Sequence, residues 1–184
     1  SLIGVPGLFK CWRKGNVGIL NAVGTGIADD KVVYSYVNKM IVYYLGEQPV
    51  LNQVETYLCH DEIQKDYVIE NISKLVVKPA NASGGYGIMI GPKAPKEERE
   101  EVIKKIKKNP REYIAQPLET LSTAPTITKD NIEPRHLDLR PFILSGKSTY
   151  VTTGGLTRVA LRKGSTIVNS SQGGGSKDTM VVDI

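Results

Sequence analysis

The stretch from Leu75 to Gly91, LVVKPANASGGYGIMIG, most tightly limits what this chain can fold into. Leu75, Val76 and Val77 form a short apolar run that reads as a buried strand ending at Lys78, and Pro79 removes the next backbone donor. Ser83, Gly84, Gly85, Tyr86 and Gly87 follow. Their glycines tolerate positive φ, so the backbone N–H groups of this loop can converge on an anion. Ile88, Met89 and Ile90 resume as a second strand. The segment is expected to be a hairpin with a donor-rich tip and a lysine at its base, a shape that suits a phosphate chain lying between the two. The same residues also fit a plain hairpin with a mobile glycine turn and an exposed lysine. The spacing is neither G-x-x-x-x-G-K-[ST] nor G-x-G-x-x-G, so the mechanisms of those loops do not apply.

A chain of 184 residues with 40% apolar content can bury a core, as one domain or as two small lobes. No apolar run approaches the roughly 20 residues that span a bilayer, and no basic segment leads into an apolar one as in a signal peptide. The expectation is a soluble, cytoplasmic protein with no membrane partner. The sequence opens at Ser1 and stops on the strand-like Met180 to Ile184, as a piece of a longer protein would. Cys11 and Cys59 stand far apart with no C-x-x-C partner, which argues against a disulfide framework or a structural zinc site. A net charge of +5 suits anionic ligands, nucleotides included, as well as nucleic acid.

Taken in order, residues 2–14 suit a short helix ending at Gly15, Val17 to Leu20 a strand, and Asn21 to Gly26 a turn. Asp29 or Asp30 can cap a helix from Lys31 to Leu45, where apolar residues recur at helical spacing until Gly46. Its tyrosines, Tyr34, Tyr36, Tyr43 and Tyr44, are spread around the helix and read as packing residues. Val54 to Cys59 reads as a strand and Asp61 to Glu70 as a capped helix. A lone Cys59-His60 pair is not a metal site. Pro95 to Lys108 is acidic then basic, matching the helix dipole, with Glu100–Lys104 and Glu101–Lys105 at i, i+4. Its lysines read as a solvated face rather than a nucleic-acid patch.

Tyr113 to Gln116 is a strand closed by Pro117, and Leu121 to Thr128 is extended. From Arg135 to Leu144 charged and apolar residues alternate, so His136, Asp138 and Arg140 share one strand face. They form either a catalytic His–Asp pair or an ion-paired face in which Asp138 holds Arg140. The lack of a serine or cysteine nucleophile motif favours the second, leaving Arg140 to meet an anion. Ser145 to Lys147 is a turn, Tyr150 to Thr153 and Leu156 to Leu161 are strands that carry Arg158, and Asn169 to Lys177 is a second glycine-rich loop.

These pieces, in this order, resemble an ATP-grasp ligase domain, and more narrowly the circularly permuted ATP-grasp proteins related to glutathionylspermidine synthetase-like ligases. The phrases that carry the resemblance are GTGIADDK ending at Lys31, VVKP before the SGGYG loop, YIAQ ending at Gln116, RHLDLRPF from Arg135, GGLTRVA with Arg158, and VNSSQGGGSKD with Asn169. The resemblance covers nearly the whole chain. It implies an α+β fold with two lobes, mainly antiparallel sheets and a nucleotide cleft between them. The expected division is an incomplete N-terminal lobe segment at 1–60, a small glycine-loop lobe at 61–117 and a C-terminal lobe at 118–184.

The resemblance also implies roles. ATP and Mg²⁺ are the expected cofactors, with a small-molecule or peptide carboxylate and an amine as substrates and no nucleic acid. Lys31 and Lys78, one from each lobe, are expected to reach the phosphates under the loop Ser83, Gly84, Gly85, Tyr86 and Gly87. Backbone groups around Ile114, Ala115 and Gln116 would receive adenine, Glu119 the ribose, and Asn169 would assist. Arg140 and Arg158 would be catalytic, neutralising charge as phosphate moves to a carboxylate. The Glu-x-Asn triplet that holds Mg²⁺ in such enzymes is not in this sequence, so the metal ligands are unknown. The alternative is a non-catalytic nucleotide-binding or scaffolding module.

Overall fold

The computed structural model describes residues 4–21, 23–82, 85–128, 131–166, 168 and 174–181. The apolar run before Lys78 is strand β2 (Leu75–Pro79). The short strand β3 (Met89–Ile90) pairs antiparallel to it, with Val76 opposite Ile90 and Val77 opposite Met89. The hairpin expected from the sequence is therefore present. On its other side β2 pairs with β4 (Tyr113–Pro117), and β4 pairs with β1 (Tyr57–Leu58), giving the antiparallel order β1-β4-β2-β3.

Strand alternation divides this sheet into two faces. Leu75, Val77 and Ala115 face a core completed by Cys59, Met89, Val68 of α4 (Glu62–Glu70), Ile72 just after it, and Ile106 of α5 (Lys96–Lys108). On the other face Ile114 packs with Leu58, Ala80 and Val32, the last from the one-turn helix α2 (Lys31–Tyr34). The helices start where the sequence offers caps. Asp61 Oδ1 accepts from the Gln64 amide at 2.9 Å, and Asp30 Oδ1 accepts from the Val32 amide at 2.8 Å. On α5 the i, i+4 pairs are Lys105–Glu101 at 2.6 Å and Lys96–Glu100 at 3.8 Å, the second in place of Glu100–Lys104.

A second antiparallel sheet takes its strands in chain order: β5 (Thr123–Ile127), β6 (Ile132–Ser145), β7 (Thr149–Val159) and β8 (Gly175–Met180). The β6–β7 register shifts between Pro141 and Ile143. Gly155 permits the close approach beside that irregularity, because a Cβ there would lie 2.8 Å from the Arg140 carbonyl oxygen. Among the described residues no helix is long and apolar enough to cross a membrane.

Several expected elements differ. The helix anticipated from Lys31 to Leu45 breaks into α2 and α3 (Val37–Leu45), and at the break Ser35 Oγ donates to the Val32 carbonyl at 2.7 Å. Helix α1 (Leu8–Arg13) is shorter than anticipated, and neither it nor α3 has a buried residue. Tyr43 and Tyr44 are exposed and meet each other edge-on, with ring centroids 4.9 Å apart, rather than packing in a core. Val17 to Leu20 is not a strand, and only Tyr57 and Leu58 of the 54–59 segment pair. Two anticipated strands merge into β7. Residues 175–177, assigned to the glycine-rich loop from sequence, belong to β8. Tyr57 and Leu58, assigned to the 1–60 segment, join the sheet built by residues 75–117.

Ile106 is fully buried in the first core and Ile63 is exposed. Ile106→Ala is expected to cost about 3–4 kcal/mol and Ile63→Ala less than about 0.5 kcal/mol, read from urea unfolding.

Candidate functional site

Lys78 leaves β2 on the face away from the α4–α5 core, and the register places Gln116 diagonally beside it: Lys78 lies opposite Ile114 and Val76 opposite Gln116. Lys78 Nζ donates to Gln116 Oε1 at 2.6 Å, and Gln116 Nε2 donates to Thr56 Oγ1 at 2.8 Å. Lys31 reaches the same strand end from α2. Its amide donates to the Ala80 carbonyl at 2.9 Å, and its Nζ donates to the carbonyls of Pro79, at 2.9 Å, and Ala82. The resemblance implied one lysine from each lobe. Instead Lys78 lies on the first sheet and Lys31 on α2, which packs against that same sheet because Val32 joins the cluster around Ile114.

Both ammonium groups are half-buried. Desolvation pushes the pKa of each below the ordinary lysine value, and the charge on Lys31 pushes Lys78 down further. Asp30 partly offsets the effect at Lys31. Among the described residues no carboxylate forms an ion pair with either lysine. Asp30 is already engaged: it caps α2 and accepts from Arg111 Nη2 at 2.7 Å. That Arg111 bond is the main cause holding its carboxyl below the usual range. The local arrangement is a concentration of positive charge without an internal counter-ion.

The hairpin tip folds back toward this point. Gly85 and Gly87 have φ of 81° and 71°, and a Cβ on Gly87 would lie 2.9 Å from Pro79 Cγ. Tyr86 is exposed. Ser83, Gly84 and Asn169 lie outside the described residues. Ile114 and Ala115 are fully buried inside the sheet, with β1 on one side and β2 on the other. Gln116 meets the site through its side chain. Leu118 and Glu119, past the end of β4, are exposed and outside both sheets.

The two arginines stand on the second sheet. Asp138 lies directly opposite Arg158, which donates from Nε to Oδ1 at 2.8 Å and from Nη2 to Oδ2. The sequence reading had Asp138 holding Arg140. The cross-strand neighbour takes the carboxylate instead, because directly opposed residues are closer than residues two apart on one strand. The Arg158 hydrogen bond is the largest cause lowering the Asp138 pKa, and the Arg140 charge adds to it. Arg140 lies opposite Leu156, is exposed, and shares its strand face with Asp138. His136 Nδ1 is 2.8 Å from the Leu121 carbonyl oxygen rather than bonded to Asp138, so no His–Asp pair forms.

Among the described residues no group of three or more His, Cys, Asp or Glu side chains could hold a metal ion. Asp30, beside Lys31, and Asp138, on the second sheet, are committed to Arg111 and Arg158. These residues do not fit a Mg²⁺ site. Cys59 is fully buried and its thiol is pushed up to about 11 by burial, as expected of a packing residue, and His60 is exposed. Sequence reasoning missed Thr56 and Arg111. Neither stands in a recognisable motif, and each meets the site through a partner far away in the chain, Gln116 for Thr56 and Asp30 for Arg111.

The chain is similar over residues 1–160 to the family described as circularly permuted ATP-grasp type 2. An uncharacterised protein of Synechocystis sp. is 57% identical over 183 residues, covering 99% of this chain and 38% of that protein. An uncharacterised protein of Mycobacterium tuberculosis is 51% identical over 183 residues, covering 99% of this chain and 33% of that protein. A Frankia casuarinae protein named "Putative glutamate--cysteine ligase 2-2" is 50% identical over 179 residues, covering 97% of this chain and 21% of that protein. The chain thus spans about a third of the first two relatives and a fifth of the third. With the family match covering well over half of its residues, and an α+β architecture of two antiparallel sheets, this chain belongs to the circularly permuted ATP-grasp family.

Proposed function

We propose that this chain is the ATP-binding portion of an ATP-dependent carboxylate–amine ligase, and that Lys31 and Lys78 hold the nucleotide's phosphates beneath the glycine tip. The observation that carries the reading is the pair of half-buried ammonium groups at one strand end, each destabilised by burial and neither paired with a carboxylate among the described residues. A polyphosphate would supply the missing counter-charge to both at once. The φ > 0 glycines of the tip keep backbone N–H groups able to turn toward the same anion.

Adenine would lie along the exposed backbone past β4, at Leu118 and Glu119, since Ile114 and Ala115 are enclosed by neighbouring strands and Gln116 is buried within β4. Arg140 and Arg158 would neutralise the transferring phosphoryl group, Arg140 directly and Arg158 while it holds Asp138. In the reaction a substrate carboxylate oxygen attacks the γ-phosphorus and the bond to ADP breaks. An amine then attacks the acyl carbon of the acylphosphate, and inorganic phosphate leaves with the formation of an amide. ATP-grasp chemistry uses Mg²⁺, for which the described residues offer no site. The activity would be cytoplasmic, where ATP is supplied. The ligase name of the Frankia relative belongs to a protein of which this segment matches a fifth, so glutamate and cysteine do not pass to this chain as substrates.

Lys78→Met and Lys31→Met are each expected to weaken ATP binding roughly 30–100-fold, about 2–3 kcal/mol, in a calorimetric titration of the full-length protein. Unchanged affinity in both would remove the reading. ADP formation that requires both an added acid and an added amine supports the ligase; ATP binding without such turnover across a broad screen supports the non-catalytic module.

The lowered lysine pKa values set a pH dependence. In the folded protein without ligand the charged form of Lys78 is disfavoured, so its cost is fully present below the folded pKa and is relieved as pH rises toward the ordinary value of 10.5. Stability without nucleotide should therefore rise through that window relative to Lys78→Met, measured by chemical unfolding. ATP affinity should fall over the same window. Parallel curves for the two proteins would contradict the assignment of the shift to Lys78.

A further inference from the structure

The Lys78–Gln116 contact is the middle of a longer polar chain, and the direction of that chain is set at its far end. Thr56 Oγ1 donates to the Val54 carbonyl at 3.0 Å. A hydroxyl has one hydrogen, so with that hydrogen committed the Thr56 oxygen can only accept. The group that meets it, at 2.8 Å, is the Gln116 amide nitrogen. With the nitrogen held there, the amide oxygen is turned to the Lys78 ammonium at 2.6 Å. A flipped amide would set donor against donor at Lys78 and would take the Thr56 hydrogen from Val54. Gln116 is itself a buried polar residue, and among the described residues no buried side-chain nitrogen or oxygen lacks a partner.

We propose that Thr56 is a positioning residue for nucleotide binding: by accepting from Gln116 it fixes the amide so that a neutral oxygen, rather than a carboxylate, steadies the Lys78 ammonium. The neutrality has a purpose that a glutamate could not serve. A carboxylate at position 116 would satisfy Lys78 internally and cancel the positive charge offered to a phosphate chain. An amide oxygen supports the charged form of Lys78, against burial and the neighbouring Lys31, without neutralising it. This proposal rests on the nucleotide reading of the lysine pair only for its purpose. The hydrogen-bond relay itself is testable without any ligand.

The test follows the Lys78 side chain by the pH titration of its ¹³Cε resonance in the full-length protein without nucleotide, alongside ATP titrations. Thr56→Val keeps the shape and removes the acceptor; Thr56→Ser keeps the hydroxyl. Thr56→Val should lower the Lys78 titration midpoint by about one pH unit and weaken ATP binding about tenfold, while Thr56→Ser should match the parent protein. Gln116→Glu should raise the Lys78 midpoint yet still weaken ATP binding, separating support of the lysine charge from its neutralisation. A Thr56→Val protein that melts lower but titrates Lys78 as the parent does would assign Thr56 a structural role only and overturn the proposal. If the parent protein itself fails to bind ATP while the Thr56→Val midpoint still moves, the nucleotide reading fails and the relay stands.

Discussion

Two ammonium groups share one end of strand β2, and much of the local structure is explained by what keeps them there. Bringing like charges together in a half-buried place is unfavourable, and desolvation adds to that cost. The fold sustains it through fixed neutral acceptors: the carbonyls of Pro79 and Ala82 for Lys31, and the amide oxygen of Gln116 for Lys78. Carbonyls and amides hold an ammonium without cancelling its charge. A site built this way keeps its positive potential.

The sheet makes the arrangement possible by having two faces with different duties. Leu75, Val77 and Ala115 anchor β2 and β4 to the α4–α5 core, and this secures the strand that carries Lys78. The opposite face presents Ile114 as a seat for Val32, which brings the N-terminus of α2 and hence Lys31 against Ala80. Asp30 joins the two regions a second time, capping α2 with one carboxylate oxygen and holding Arg111, beyond α5, with the other. The core on the far side of the same strand thus anchors the strand that carries the charged site.

The hairpin of residues 75–91, helices α4 and α5, and strand β4 were legible in the sequence because each is specified locally, by an apolar run, a cap or a proline. Lys78 was legible as well, as the residue that the apolar run delivers to its end. The break at Ser35 was hidden, since helical periodicity of apolar residues continues through it. The shortness of β1 was hidden for a similar reason: pairing with β4 decides its length, and apolar composition does not. Asp138 was assigned the wrong arginine because strand alternation reports which residues share a face, whereas cross-strand register reports which residues touch. The Thr56–Gln116–Lys78 chain joins three segments distant in sequence, so no local pattern could announce it. The family likeness did point to Lys31 and Lys78 together, although it implied opposite lobes, whereas Lys31 sits on α2 packed against the sheet that carries Lys78.

The central claim is that Lys31 and Lys78 together receive the phosphates of ATP. The most direct measurement treats the full-length protein with an acylphosphate derivative of ATP, which transfers its acyl group to lysines beside the bound phosphates, and maps the labelled lysines by mass spectrometry. Labelling concentrated on Lys31 and Lys78, and suppressed by excess ATP, is the result expected. Labelling spread over surface lysines such as Lys104 and Lys107, with no protection by ATP, would contradict it.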